Sequence, residues 1–281
     1  MHPSDILVTD QVAVVTGAGA GIGQGIAVGL AAFGADIVVA DIDPDRAAVT
    51  ADKVVAEGRK VLVVPTDSSD ADAVQAMVAA AVEHFGRIDI LVNNAGGVRR
   101  SRFLDQEERS WRRHIDLNLV SAIAATSAAA RVMVAEGRGG SIVNIASIEA
   151  LRAAPMYAVY AACKAAMTSF TRSMAVELGE HQIRVNALAP DVTATAGIRG
   201  IVRGPVPDPL PAPPPGFAEG LARYVPLGHE GDVSDLAAAA VFLSSPMARY
   251  ITGVTLSVDG GTWASSGWVR TADHTAWELH S

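Results

Sequence analysis

Tyr160 and Lys164 stand four residues apart, a spacing that puts both side chains on one face of a helix. A tyrosine hydroxyl ordinarily ionises near pH ~10, too high for a base near neutrality. An ammonium beside it favours the phenolate. Lowering the pKa by about two to three pH units corresponds to roughly 3–4 kcal/mol of differential stabilisation. Ser147 adds a hydroxyl that can hydrogen-bond a substrate oxygen and hold it against Tyr160. The chemistry these three side chains suit is proton transfer at an alcohol or a ketone. Tyr160 takes the hydroxyl proton as hydride leaves the carbon, or returns it in the reverse direction. A hydride needs a carrier, and the N-terminal part of the chain reads as a place for one.

There Thr16-Gly17-Ala18-Gly19-Ala20-Gly21-Ile22-Gly23 follows a short β-branched run. A glycine-rich turn between a strand and a helix lets backbone N–H groups and the helix dipole meet a pyrophosphate. Glycine is needed where a Cβ would block the approach. The candidate contacts are Gly17, Gly19, Gly21, Ile22 and Gly23. Asp41 ends the next run, about twenty residues on. It suits a ribose 2′-hydroxyl and repels a 2′-phosphate, which points to NAD over NADP; the competing reading is a helix-capping aspartate. No Arg or Lys lies beside the glycines, the nearest after Asp41 being Arg46. Asp67 is placed to contact the adenine, or else to form a turn with Ser68 and Ser69.

The elements that would position these groups alternate regularly. Strands are predicted at Val12–Thr16, Asp36–Ala40, Lys60–Val64, Asp89–Val92, Ser141–Ile145, Arg184–Leu188 and Thr255–Val258. Helices are predicted at Gly21–Phe33, Pro44–Glu57, Ala71–Phe85, about Glu107 to Glu136, about Val159 to Leu178, and Asp232–Leu243. Strands apolar on both faces and alternating with helices define an α/β fold with a doubly wound parallel sheet in a single domain. Two stretches break the rhythm. Residues 204–216 hold seven of the 14 prolines, and read as a polyproline-like loop over the carboxyl edge of the sheet. The tail after Gly261 holds Trp263, Trp268 and Trp277, three of the four tryptophans; it should dock onto the body or onto a partner subunit.

Composition narrows the function. The chain has 281 residues, 50% of them apolar and 19% charged, with a net charge of −8. That excludes a disordered chain and disfavours binding to nucleic acid or an anionic membrane. One cysteine, Cys163, excludes a disulfide framework and a multi-thiolate metal site; it reads as core packing. The histidines show no metal-ligand spacing. Apolar stretches are interrupted by charges such as Asp36, Arg131 and Glu136, and the first ten residues do not read as a signal peptide. A soluble, cytoplasmic protein is expected.

The ordered set TGAGAGIG, Asp41, NNAG at 93–96, Asn118, Ser147, YAACK at 160–164 and VDGG at 258–261 resembles the short-chain dehydrogenase/reductase family, in its form of about 250 residues. The resemblance runs from about Gln11 to Gly261. It implies a Rossmann-like sheet, NAD as cofactor, no metal, a small-molecule substrate and a homotetramer built on the long helices and the last strand. It implies Tyr160 as acid/base, Lys164 as the group that tunes it and binds the nicotinamide ribose, Ser147 as orienting residue, and Asn118 as holder of a water leading to the lysine. Asn94, Ala95 and Gly96 would line the cofactor near its ribose. Pro190, Thr193 and Thr195 would meet the nicotinamide carboxamide. One departure stands out: the family's glycine after Pro190 is Asp191, either a tolerated turn substitution or a carboxylate placed near the site. The resemblance makes 196–226 a substrate lid and leaves 262–281 as a C-terminal tail. The lid's apolar residues favour a hydrophobic or alicyclic secondary alcohol. Arg99, Arg100 and Arg102, a solvated face on the bland reading, keep a 3-hydroxyacyl thioester open as an alternative. A non-catalytic nucleotide sensor and a lyase or epimerase using bound NAD are the rivals from other classes.

Overall fold

The computed structural model describes residues 2–279. Seven parallel strands form one sheet in the order β3-β2-β1-β4-β5-β6-β7. They are β1 (Val12–Thr16), β2 (Asp36–Asp41), β3 (Val61–Pro65), β4 (Ile90–Asn93), β5 (Gly140–Ile145), β6 (Ile183–Pro190) and β7 (Thr255–Val258). Alternation along each strand supplies two cores. Ala13, Val15, Ile37, Val39 and Ile90 face one layer, and Val12, Val14, Val38, Ala40 and Leu91 the other. Period-two side-chain direction is the cause: the strands inside the sheet feed both faces.

The helices are α1 (Gly21–Ala32), α2 (Pro44–Ala56), α3 (Ala71–Phe85), α4 (Glu108–Ile115), α5 (Ser121–Glu136), α6 (Ala158–Glu177), α7 (Phe217–Tyr224), α8 (Val233–Ser244) and α9 (Thr262–Ser265). Side chains of α1 and α8 join the first core, and those of α3, α5 and α6 the second. Asp43 and Asp70 cap α2 and α3 by accepting backbone N–H bonds, as short acceptors at an N-cap do. The long helix expected over Glu107 to Glu136 is two helices joined by a π-turn at Asp116–Val120, centred on Asn118. By length and composition alone this 29-residue run is long and apolar enough to cross a membrane, with an 18-residue window of mean hydropathy 1.5; Arg131 does not break it up as expected. In the fold α5 instead lies on the sheet, with Ala125, Ala129 and Met133 buried in the second core.

Four elements were not anticipated: α7, the short α9 and two strands in the tail. Residues 204–216 form neither helix nor strand, as expected, but α7 follows directly. Phe217, Leu221 and Tyr224 carry its helical spacing, and Leu221 is buried. In the tail, β8 (Trp268–Arg270) and β9 (Trp277–Leu279) pair as an antiparallel hairpin. The tail docks onto the body at α7, through polar bonds more than through its tryptophans. Arg223 Nε donates to the Arg270 carbonyl at 3.0 Å, and Arg270 Nη2 donates to the Pro226 carbonyl at 2.9 Å. Trp263, Trp268 and Trp277 each stay over 40% exposed.

The closest helix pairing, α1 against α8, requires glycine. A Cβ at Gly29 would stand 2.9 Å from Ala237 Cβ, and one at Gly25 would stand 2.8 Å from Val233 Cβ. Gly29→Val is therefore expected to destabilise the fold by about 1–3 kcal/mol through overpacking, read as a lower denaturant midpoint with unchanged slope.

Candidate active site

All candidate groups gather along the carboxyl edge of the sheet, where parallel strands end together. At the first crossover the turn is built by close approach. A Cβ on Gly23 would lie 2.2 Å from the Gly17 carbonyl oxygen, and one on Gly17 would lie 2.9 Å from Ala95 Cα. Gly17 and Gly21 have φ of +62° and +58°, where side chains are strained. Ala20, the N-cap of α1, offers no side-chain cap, so the first-turn N–H groups of Gly21, Ile22 and Gly23 face outward as anion donors. These features fit a dinucleotide pyrophosphate. Thr195 lies against the same helix start, its Cβ 3.4 Å from where a Gly21 Cβ would be. Thr193 is buried beside Gly231, after buried Pro190.

Asp41 is already engaged. Its carboxylate accepts from the N–H of Gly19 at 2.7 Å and of Asp43 at 2.9 Å. The capping of α2 falls to Asp43 instead, which removes the competing reading of Asp41. Arg46 reaches the same corner, but its Nε donates to the Gly204 carbonyl at 2.8 Å. Its charge is thus drawn towards the 196–226 segment. Asp67 is exposed and its Oδ1 accepts from the Ser69 N–H and hydroxyl, the turn contact that was its alternative reading.

Asn94, Ala95 and Gly96 connect the two halves of the site. Asn94 Nδ2 donates to the carbonyls of Thr16 and Gly17, both at 2.9 Å, and Ala95 N–H donates to Thr16 Oγ1. Thr16 was not anticipated as a partner, although it opens the glycine motif. A buried chain of amides was missed as well: Asn93 Nδ2 donates to Asn144 Oδ1, and Asn144 Nδ2 to Thr171 Oγ1. A Cβ on Gly96 would lie 2.9 Å from Asn118 Oδ1 and 3.4 Å from Lys164 Nζ. Glycine is what lets the loop pass over both.

Lys164 is fully enclosed at the bottom of the site. Nζ donates to the Ile145 carbonyl at 2.7 Å and sits 5.7 Å from the Tyr160 ring centroid. Asn118 is 0% exposed. Its Nδ2 donates to the carbonyls of Gly97 and His114, and its Oδ1 accepts from Gly97 N–H. Both amide hydrogens are thus spent on backbone. Ser147 is buried, with Oγ accepting from Glu149 N–H at 3.2 Å. The ionisation of Tyr160 differs from the simple expectation. Burial pushes it up to about 12, the Ser147 hydrogen bond pulls it back, and the Glu149 charge adds to the rise. Burial also pushes Lys164 down to about 8. In the chain by itself, desolvation sets the direction for both groups. Cys163 is buried with its thiol pushed up by desolvation, as a packing residue should be.

Around Asp191 stands a cluster that the sequence only hinted at. Tyr224, on α7, donates its hydroxyl to Asp191 Oδ2 at 2.8 Å. Arg152 Nη2 lies 3.9 Å from Asp191 Oδ1, and pairs with Glu149 at 2.8 Å. Burial raises the Asp191 pKa, while bonds from Thr262 and Tyr224 oppose the rise.

Comparison with known proteins agrees with this geometry. A family model described as enoyl-(acyl carrier protein) reductase matches residues 17–262. The 2-dehydro-3-deoxy-D-gluconate 5-dehydrogenase of Escherichia coli (strain K12) is 40% identical over 252 residues, 89% of this chain and 94% of the relative. A 7α-hydroxysteroid dehydrogenase, solved with NADH and 7-oxo glycochenodeoxycholic acid, superposes with TM-score 0.85 at 33% identity, over 93% of this chain and 97% of the other. A gluconate 5-dehydrogenase from Burkholderia cenocepacia, solved with NADP and tartrate, gives 0.83 at 34% identity, over 94% and 99%. The chain belongs to the short-chain dehydrogenase/reductase family. It is an oxidoreductase acting on CH–OH groups, with a Rossmann-like fold.

Because Lys164 titrates near 8 when folded against an ordinary 10.5, the folded chain holds fewer protons than the unfolded one between those values. Stability then rises with pH across that window, by up to about 1.4 kcal/mol per pH unit. Denaturant titrations without cofactor should show the unfolding free energy of wild type gaining on that of Lys164→Met between about pH 8 and about pH 10. A constant difference would mean that the ammonium is not desolvated.

Proposed function

We propose that the protein is an NAD-dependent dehydrogenase/reductase that interconverts a secondary alcohol and its ketone. The observation that carries this reading is the buried Lys164 ammonium beneath Tyr160, with Ser147 beside the phenol. In this reading Tyr160 is the acid/base, Ser147 fixes the substrate oxygen, and Lys164 tunes the phenol and holds the nicotinamide ribose. Asn118, whose side chain is committed to Gly97 and His114, passes protons towards Lys164 through a water on its backbone, at the π-turn. Gly17, Gly19, Gly21, Ile22 and Gly23 hold the pyrophosphate. Asp41 takes the adenosine ribose and Asp67 faces the adenine. Asn94, Ala95 and Gly96 line the middle of the cofactor, and Pro190, Thr193 and Thr195 its carboxamide end. A nicotinamide bound here would supply the hydride acceptor or donor. Its positive charge in the oxidised form also provides what Lys164 alone does not, a lowered phenol pKa.

Asp41 favours NAD, and Arg46 at the same corner is occupied by the Gly204 carbonyl and Asp43. Residues 196–226 act as substrate lid. Ile201, Val206, Leu210 and Phe217 are only part-buried there and suit an alicyclic or otherwise carbon-rich skeleton. The rim arginines Arg99, Arg100 and Arg102 favour a 3-hydroxyacyl thioester as second reading. A cytoplasmic homotetramer completes the proposal. The outer faces of α5 and α6 leave an apolar cavity of about 530 Å³ lined by Ile123, Ala130, Val134, Phe170 and Met174, which a second copy would fill.

The test is formation of reduced nicotinamide from NAD or NADP with alicyclic alcohols, sterols and 3-hydroxyacyl thioesters. NAD should be preferred, Tyr160→Phe should lose at least about 10²-fold in kcat, and Asp41→Ala should erode the preference for NAD over NADP. Turnover chiefly with NADP in the wild type would refute the Asp41 argument. For assembly, Ala130→Arg should yield smaller particles by light scattering while the isolated subunit keeps its fold.

A further inference from the structure

We infer that Glu149, Arg152, Asp191 and Tyr224 form a distal substrate subsite that accepts a hydrogen bond from a second hydroxyl of a neutral diol or polyol. The inference rests on the proposed alcohol/ketone chemistry and names the class of alcohol. Its first support is position. β5 and β6 are in register at Ile145 and Leu188, so Ser147 and Pro190 end level with each other. Asp191 therefore emerges beside Ser147 at the same sheet edge. Glu149 is tied to the site directly, its N–H donating to Ser147 Oγ. Tyr224 brings α7, the helix of the lid, down onto Asp191. The four groups thus lie between the reacting centre and the lid.

The second support is charge and hydrogen-bond capacity. Glu149 engages Arg152 with both carboxylate oxygens, through Nη2 at 2.8 Å and Nε at 3.3 Å, so the arginine's fork is occupied. Asp191 remains, with Oδ2 bonded to Tyr224 and Oδ1 at 3.9 Å from Arg152, beyond hydrogen-bond reach. A carboxylate has about four acceptor positions, so Asp191 keeps capacity beyond its bonds from Tyr224 and Thr262. Counted formally, two carboxylates face one guanidinium. Such a wall accepts hydroxyl donors and repels a substrate carboxylate. The rim arginines do not reverse this, since Arg99, Arg100 and Arg102 stand on the exposed outer loop, and Arg100 Nε is turned onto Met156 Sδ at 3.2 Å. The carbon skeleton of a ring diol still meets the apolar lid, so the subsite adds to the lid's preference without opposing it.

The subsite also accounts for Asp191 itself. A glycine here would leave Tyr224 without its acceptor and Arg152 with one carboxylate. The three charged side chains are largely covered by protein but not sealed, with exposures between 11% and 28%.

The experiment is a matched series on one ring: cyclohexanol, cyclohexane-1,4-diol and 4-hydroxycyclohexanecarboxylate, with a hexitol as open-chain diol probe. Each is assayed with NAD for kcat and KM, and for binding by the change in fluorescence of enzyme-bound NADH. In the wild type the diol or hexitol should exceed cyclohexanol in kcat/KM by about 10- to 100-fold, the range of a hydrogen bond to a charged acceptor, and the carboxylate should be the poorest. Asp191→Gly should collapse the diol-to-cyclohexanol ratio towards one, chiefly through KM, and relieve the penalty on the carboxylate. Asp191→Asn, which keeps an acceptor for Tyr224 but not the charge, should fall between. Tyr224→Phe separates recognition from a mere latch on the lid, because a latch shifts all alcohols alike and leaves the ratio where it was. A ratio unchanged by Asp191→Gly, or a wild type that prefers the carboxylate, overturns the subsite while leaving the alcohol/ketone reading in place. Failure of every alcohol both to turn over and to perturb bound NADH overturns that reading, and the subsite with it.

Discussion

An ammonium enclosed by protein is expensive unless something repays it, and the arrangement of the active-site edge follows from the cost of enclosing Lys164. Its Nζ is held by a single strand-end carbonyl, that of Ile145. Its neighbours are fitted closely around that contact. Gly96 has no side chain because Lys164 and Asn118 occupy the space. Asn118 is buried at a π-turn and spends its amide on the loop that carries Gly97. Tyr160 is one turn away on the same long helix, so the phenol shares the desolvated setting that drives the two pKa values apart, the phenol up and the ammonium down. The strain of the resting state is what a positively charged partner in the site would relieve for the phenol.

Much of this was legible in the sequence because it depends on short spacings. A glycine turn, an acid after the second strand and a tyrosine four residues from a lysine are local patterns, and local geometry fixes them. The two-faced strands were equally plain, since an apolar run covered on both sides has only one economical arrangement. What escaped was long-range. Nothing near Asn94 announces that its amide is taken up by Thr16 and Gly17. The proline-rich stretch hid α7, whose three spaced apolar and aromatic residues were the available signal. The paired segments of the tail were read as isolated tryptophans because their alternation covers only three residues each. The ionisation of Tyr160 was misjudged for a related reason: spacing shows which charge is near, but not how much water has been removed.

The segment from 196 to 226 touches both ends of the sheet's functional edge. At one end Arg46 grips the Gly204 carbonyl beside the glycine turn. At the other, Tyr224 bonds Asp191 next to the reacting centre. Between them the chain is stiffened by proline, whose fixed φ limits how far one attachment can move without the other. Cofactor corner and substrate wall are thereby linked by one covalent stretch and two hydrogen bonds.

The hairpin that closes the described chain is held at α7 by two arginine side chains, Arg223 donating to the Arg270 carbonyl and Arg270 to the Pro226 carbonyl, with Arg223 also paired to Glu278. The turn joining its two strands, Thr271 to Ala276, lies on the surface and carries no duty at the reacting centre. Insertions or substitutions in that turn can tilt α7, and with it Tyr224, while every residue that handles the proton stays as it was. The hairpin is thus a place where selection can adjust the breadth of the pocket separately from the rate of the reaction.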